Sequence, residues 1–400
     1  CSMRPARRWR AARGGAEMGG ADIGADLGEA LRILTLQAGF NAAVVVVGAA
    51  LLGVAAGTIG AFALLRKRAL MGDALSHATL PGVAGAFIVA VMLGGEGRSL
   101  PLLLLGATIS GVLGVLTVQA LVKYSRLNED AAIGVVLSVF FGLGVVLISR
   151  VQAMDVGTQG GLTHFILGQT AAMRRSDALV MGGVALLVAL CALLLFKEFR
   201  LVCFDREYAG ALGWPVGLVD LAMMALVVVV TVIGLQAVGL ILIVAMLIIP
   251  PAAARFWTER LWLMTLLSGV FGGLSGYLGA SASAIWSDMP AGAVIVLGAG
   301  FIFVASFIFA PARGVVATLV RHLRLRYTIA SDHALRLAYE MLEADGKTLA
   351  APLSIDRLVD ARSWSAPAAT LVIRSLAWRG LARREKGALR LTERGQAEAW

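Results

Sequence analysis

Charge is what this sequence has least of: 15% of its 400 residues are Asp, Glu, Lys or Arg, against about 25% in ordinary soluble domains. Beside 59% hydrophobic residues and a mean hydropathy of +0.84, that scarcity excludes a disordered chain or a string of soluble domains. Only three cysteines occur, Cys1, Cys191 and Cys203, without metal-ligand spacing, which excludes a disulfide-stapled secreted fold and gives redox chemistry no foothold. No Gly-x-x-x-x-Gly-Lys-Ser/Thr phosphate loop is present, so the chain does not hydrolyse ATP by that route, and any ATPase is a separate subunit. A nucleophile elbow, a His-Glu-x-x-His motif and a paired-carboxylate cluster are absent too. What the chain does have is 47 glycines and long apolar runs, the composition of a polytopic membrane protein whose helices approach closely through small residues.

Stretches without Asp, Glu, Lys or Arg run at 33–65, 74–95, 99–122, 131–149, 178–196, 221–254, 261–287 and 289–312. A crossing needs about 20 residues, so 221–254 is long enough for two, with the break expected near Gly234, Gln236 and Gly239. The sequence thus predicts an all-α polytopic fold of about nine transmembrane helices, or eight if that stretch is one broken helix. Alternating sides gathers 14 Lys and Arg in the loops at 66–68, 123–126, 197–206, 255–260 and 313–326, and leaves Arg98, Arg150, Arg174 and Arg175 opposite. The positive-inside rule makes the first set cytoplasmic, and the C-terminus with it. The N-terminal tail, 1–32, carries Arg4, Arg7, Arg8, Arg10 and Arg13 against that rule, and reads as an over-extended frame with Met18 further in.

Two ionisable residues stand inside an apolar run, in Met71-Gly72-Asp73-Ala74-Leu75-Ser76-His77-Ala78-Thr79-Leu80-Pro81-Gly82. Four residues apart, Asp73 and His77 share one helix face. A helix starting near Arg68 would carry His77 about 13 to 14 Å along its axis, near the membrane centre, where ionisable groups are costly and face a pathway. The plainer alternative is a hydrogen-bonded pair in a helix contact. This stretch resembles the signature of the ABC-3 type membrane subunits of bacterial ABC importers for manganese, zinc and iron. The resemblance covers about residues 40 to 312 and includes Asp130-Ala131-Ala132-Ile133-Gly134, Phe204 to Gly213, Val238 to Leu242 with Ile248 to Ala254, and Asp288 to Ala293.

That resemblance implies that Asp73 and His77 coordinate a passing divalent metal (manganese, zinc or iron) rather than a resident cofactor. It also implies an ATP-driven importer in the bacterial cytoplasmic membrane, with a cytoplasmic ABC ATPase, an extracytoplasmic metal-binding protein and a second permease copy or sister permease as partners, all among membrane lipid. One carboxylate and one imidazole suit borderline divalent ions but are too few for a closed site, and a two-fold pair of chains supplies four donors. The stretch 197–219 reads as a short amphipathic helix, and the resemblance makes it the element that couples to the ATPase, through Phe204, Asp205, Glu207, Ala209, Leu212 and Gly213. An ordinary interfacial connector is the alternative. His164 in the outward loop 150–177, Gln236, and Asp288, an N-cap candidate before Met289-Pro290, are further path or loop candidates.

Domain boundaries follow from composition: tail 1–32, transmembrane permease domain 33–312, basic juxtamembrane linker 313–330 and a small cytoplasmic domain 331–400. Residues 311–400 hold 15 Lys and Arg against 9 Asp and Glu. Helices are expected at about 331–344, 354–361 and 365–379, followed over 380–395 by a wing and the start of a closing helix. This pattern resembles the winged-helix module of metal-dependent repressors of the diphtheria-toxin-repressor class, and contact with DNA and contact with protein both stay open for it. Two other functions compete with the metal importer. A membrane-tethered metal-responsive transcriptional regulator would not need so many spans, and an ATP-independent carrier would not need the 197–219 element.

Overall fold

The structure, a computed structural model, describes residues 40–66, 70–94, 100–154, 173–285, 289–346, 351–362, 366–385 and 387–399, with isolated positions at 32, 33, 35, 37, 68 and 348. The chain divides into two compact units between Ser306 and Phe307.

The first unit is helical. Its elements are α1 (Phe40–Leu65), α2 (Met71–Ala78), α3 (Leu80–Met92), α4 (Leu100–Tyr124), α5 (Glu129–Gln152), α6 (Arg175–Leu194), α7 (Phe196–Phe204), α8 (Arg206–Ala211), α9 (Val216–Val238), α10 (Leu240–Trp257), α11 (Leu261–Ile285) and α12 (Ala291–Phe309). Among the described residues, eight helical segments are long and apolar enough to cross a bilayer, with α2 and α3 counting as one, Met71–Met92. Eight rather than the expected nine reach that length, and α10 is apolar too over the shorter stretch Leu242–Trp257, which holds Pro250 and Pro251. The 221–254 stretch is nonetheless two helices. Gly239, at φ 87°, sits where a side chain would be strained, and α9 stops there.

Small residues let the helices meet backbone to backbone. On α1, a Cβ at Gly53 would strike the Gly272 carbonyl of α11, and one at Gly57 would strike that of Ser268. The Ser268 hydroxyl donates to the Gly57 carbonyl at 2.5 Å, closing the same contact with a buried polar bond. The core around this pair is apolar, with Leu52, Ile59, Phe62, Met71, Leu75, Met223, Met224, Leu235 and Ile243 all buried. A hollow of about 550 Å³ between α3, α4 and α5 is lined by Gly82, Ala86, Leu105, Gly106, Ile109 and Leu143 among others.

The second unit begins in earnest with α13 (Val315–Ala344), one helix of 30 residues. The helix expected from 331 therefore starts about four turns earlier, because 315–330 is rich in Val, Leu, Thr and Arg and holds neither Gly nor Pro to stop it. Its second half buries Ala334, Leu335, Ala338 and Leu342 at helical spacing. β1 (Leu353–Ser354), α14 (Ile355–Arg362), α15 (Ala366–Trp378), the hairpin β2 (Ala382–Glu385) and β3 (Ala388–Leu391), and α16 (Glu393–Ala399) follow. The strands form an antiparallel sheet in the order β1-β3-β2, with Arg383 directly opposite Arg390. Leu358, Val372, Leu376, Leu381, Leu389 and Leu391 join the α13 face in a separate core.

Candidate functional site

The Met71–Gly82 stretch is helical almost throughout, but Pro81 breaks its bonding. Proline has no N–H to offer the carbonyl four residues back, which belongs to His77. The Thr79 N–H reaches the Leu75 carbonyl at 3.0 Å and the Val83 N–H reaches that of Thr79 at 3.0 Å, so the axis carries on past the gap. Hydroxyls fill in around it: Ser76 donates to the Gly72 carbonyl at 2.8 Å, Thr79 to Ser76 at 2.7 Å, and Ser110 of α4 to Ala78 at 2.6 Å. All three hydroxyl residues are buried.

On this helix the His77 Nε2 stands 3.6 Å from the Asp73 Oδ1. Their side chains are 22% and 37% exposed, whereas Met71, Gly72, Ala74, Leu75, Ser76 and Ala78 around them are buried. The pair thus occupies the one open strip of α2. The His77 ring meets Phe141 of α5 edge to face at 4.9 Å, and its Nδ1 is buried with no hydrogen-bond partner. The helix begins at Met71 rather than near Arg68, so His77 lies about 9 Å along it, not 13 to 14 Å. Among the described residues no three His, Cys, Asp or Glu gather tightly enough to hold an ion. At this point the chain brings together one carboxylate and one imidazole.

A second charged cluster was not visible in the sequence. Asp220, in the second turn of α9, accepts from Arg66 Nε and Nη2 at 3.3 and 3.2 Å and from Arg68 Nη1 at 2.7 Å. Arg68 also pairs with Glu129 at the start of α5. The Arg68 and Asp220 side chains are each 2% exposed. The only hint in the sequence is position: Asp220 borders the longest charge-free stretch, and Arg66 and Arg68 lie over 150 residues away.

The expected docking helix at 197–219 is two short helices instead of one. Asp205 leaves helical geometry and caps α8, its Oδ1 accepting from the Tyr208 N–H at 2.9 Å. Gly213, at φ 80°, ends the segment. Phe204, Tyr208 and Leu212 are exposed, as are Glu207 and Asp205, while Ala209 is buried. Beside them Cys203 is half-buried, and desolvation pushes its thiol up to about 12. His164 and Asp288 lie outside the described residues, as do positions 1–31, and nothing is described of the Gln236 side chain.

The first unit is thus a bundle of membrane-length helices, one of which carries an Asp and a His on its open strip. Residues 40–310 match the family model described as ABC 3 transport family, and the chain belongs to that family. It is a permease subunit, and ATP hydrolysis is carried by a separate subunit. The manganese transport system membrane protein MntC of Bacillus subtilis is 42% identical over 299 residues, covering 75% of this chain and 68% of that one. The zinc transport system membrane protein TroC of Treponema pallidum is 40% identical over 281 residues, covering 70% and 93%. Among solved structures, PsaBC from Streptococcus pneumoniae in complex with Fab matches with a TM-score of 0.61 and 32% identity, over 75% of this chain and 99% of that one.

Proposed function

We propose that this chain is the membrane permease subunit of an ATP-driven importer for a divalent transition metal (manganese, zinc or iron), with Asp73 and His77 as ligands of the passing ion. The observation that carries the reading is the 3.6 Å approach of Nε2 and Oδ1 on the only open strip of a buried helix. The similar MntC and TroC proteins, named for manganese and zinc, support the cargo class. Two donors per chain make a site that is left easily. A second copy or a sister permease facing the first brings the number to four, enough to replace part of the ion's hydration shell without trapping it. An extracytoplasmic binding protein delivers the ion. The exposed Phe204, Tyr208 and Leu212 with Asp205 and Glu207 meet the ATPase from the cytoplasmic side. The second unit is a cytoplasmic winged helix in this reading, supported by its helix-strand-helix-helix-hairpin order. The outer face of α15 exposes Leu371 and Trp378, the latter 92% exposed, beside Arg374, which favours a protein contact over base reading in DNA.

The test is radiometal uptake by proteoliposomes holding the permease and its ATPase. Asp73→Ala and His77→Ala are each expected to lower uptake by about tenfold or more with assembly intact, because half of the protein donors are lost from the pair of chains. A packing pair would tolerate the change, since hydrogen bonds in lipid average about 0.6 kcal/mol. Wild-type uptake by Asp73→Ala rules out the metal-path assignment.

A further inference from the structure

The Arg66, Arg68, Asp220 and Glu129 cluster has no part in binding the ion, yet it ties together the helices that matter. Burying charge is a poor way to gain stability, because desolvation consumes most of what the pairing returns. What a guanidinium fork adds is geometry: its planar donors hold two carboxylates in fixed directions, which an ammonium does not do. Arg68 uses Nη1 on Asp220 and its other nitrogens on Glu129, while its own carbonyl accepts the Met71 N–H at 2.9 Å, in the first turn of α2. One residue thereby joins α9, α5 and α2.

The two ends of this linkage are the docking segment and the metal pair. Upstream of Asp220, the Trp214 N–H bonds the Ala209 carbonyl at 3.1 Å and the Val219 N–H bonds that of Pro215 at 3.1 Å, so α8 runs into α9 through a tight turn. Downstream of Arg68, Asp73 lies five residues on. Phe62, just before the cluster, packs edge to face on Phe199 of α7 at 5.2 Å. We propose that Arg68 is a positioning residue whose bridge to Asp220 and Glu129 makes α2 move with α9, so that motion at the docking helices reaches Asp73 and His77. This rests on the reading of α7 and α8 as the ATPase dock.

The test uses the full chain with its ATPase in nanodiscs, and nitroxides at Leu70→Cys and Leu218→Cys in a background carrying Cys1→Ser, Cys191→Ala and Cys203→Ser. Both labelled positions are exposed. With Arg68 present, the inter-label distance measured by electron paramagnetic resonance should stay narrow and unchanged between nucleotide-free and ATP-vanadate states. In the triple variant Arg66→Leu, Arg68→Met and Asp220→Leu, which removes the buried charges together and so spares folding, it should broaden and shift with nucleotide. ATP hydrolysed per ion imported should rise about tenfold in the triple variant, with Arg68→Lys intermediate because one ammonium cannot bridge both carboxylates. A merely structural cluster would lower uptake and hydrolysis together, leaving their ratio unchanged. A triple variant as rigid as its parent, or a parent distance that already varies with nucleotide, overturns the proposal. If the wild type imports none of manganese, zinc or iron, the metal reading fails, while the distance measurement, needing only nucleotide, still decides the role of Arg68.

Discussion

In the proposed metal path, the Nδ1 of His77 would set how firmly an ion is held. A cation on Nε2 leaves the ring proton on Nδ1, and that N–H would be buried without an acceptor, at a cost of about 1 to 3 kcal/mol. Resident metal sites give such a nitrogen a carbonyl or carboxylate, and this chain supplies His77 with neither among the described residues. His77→Cys removes the imidazole and offers a thiolate that suits zinc and not manganese. That variant should retain a larger fraction of zinc uptake than of manganese uptake, read in parallel radiometal assays. Cys203 behaves in the opposite way. Its pKa is raised from 9.0 to about 12, chiefly by burial. The folded chain keeps the proton where the unfolded chain loses it, so this contribution to stability is full below pH 9 and is lost as pH rises toward 12. Alkylation by iodoacetamide at pH 8 should be about a hundredfold slower in the folded than in the denatured protein. Cys203→Ser should flatten the fall in thermal midpoint between pH 9 and 11.

At the scale of elements, the proposed docking segment makes the sharpest claim. Phe204→Ala with Leu212→Ala removes exposed apolar surface only, so folded abundance should hold while ATPase capture falls by about tenfold or more. Normal capture together with normal uptake would assign these residues to an ordinary connector. The spans were legible in the sequence because hydrophobic length alone defines them. So was the break in 221–254, which needed a residue tolerant of φ 87° and had Gly239 to supply it. The division of 197–219 at Asp205 was not legible: the cap depends on one carboxylate turning onto the Tyr208 N–H, and amphipathic spacing is the same for one helix or two. Nor was the continuity of α13, since a basic stretch reads equally as linker or as solvated helix. The Asp73 and His77 pair could be read from a spacing of four, whereas the Arg68 bridge joins residues 61 and 152 positions apart and leaves no local pattern.

For the whole molecule, each of the two units has an apolar core of its own. Ending the chain after Gly314 should leave an inserted permease whose uptake stays within about twofold of the full chain, measured in proteoliposomes. Loss of insertion would make the second unit a structural necessity. The hollow between α3, α4 and α5 has a different consequence. At about 550 Å³, and with a lining that is almost wholly apolar, it offers nothing to water. Where that face meets the bilayer, fatty-acyl tails would fill it, and the surrounding lipid would be part of the wall behind Pro81 and Gly82, one turn beyond His77. Chain length and unsaturation of the host membrane then become variables of the protein itself.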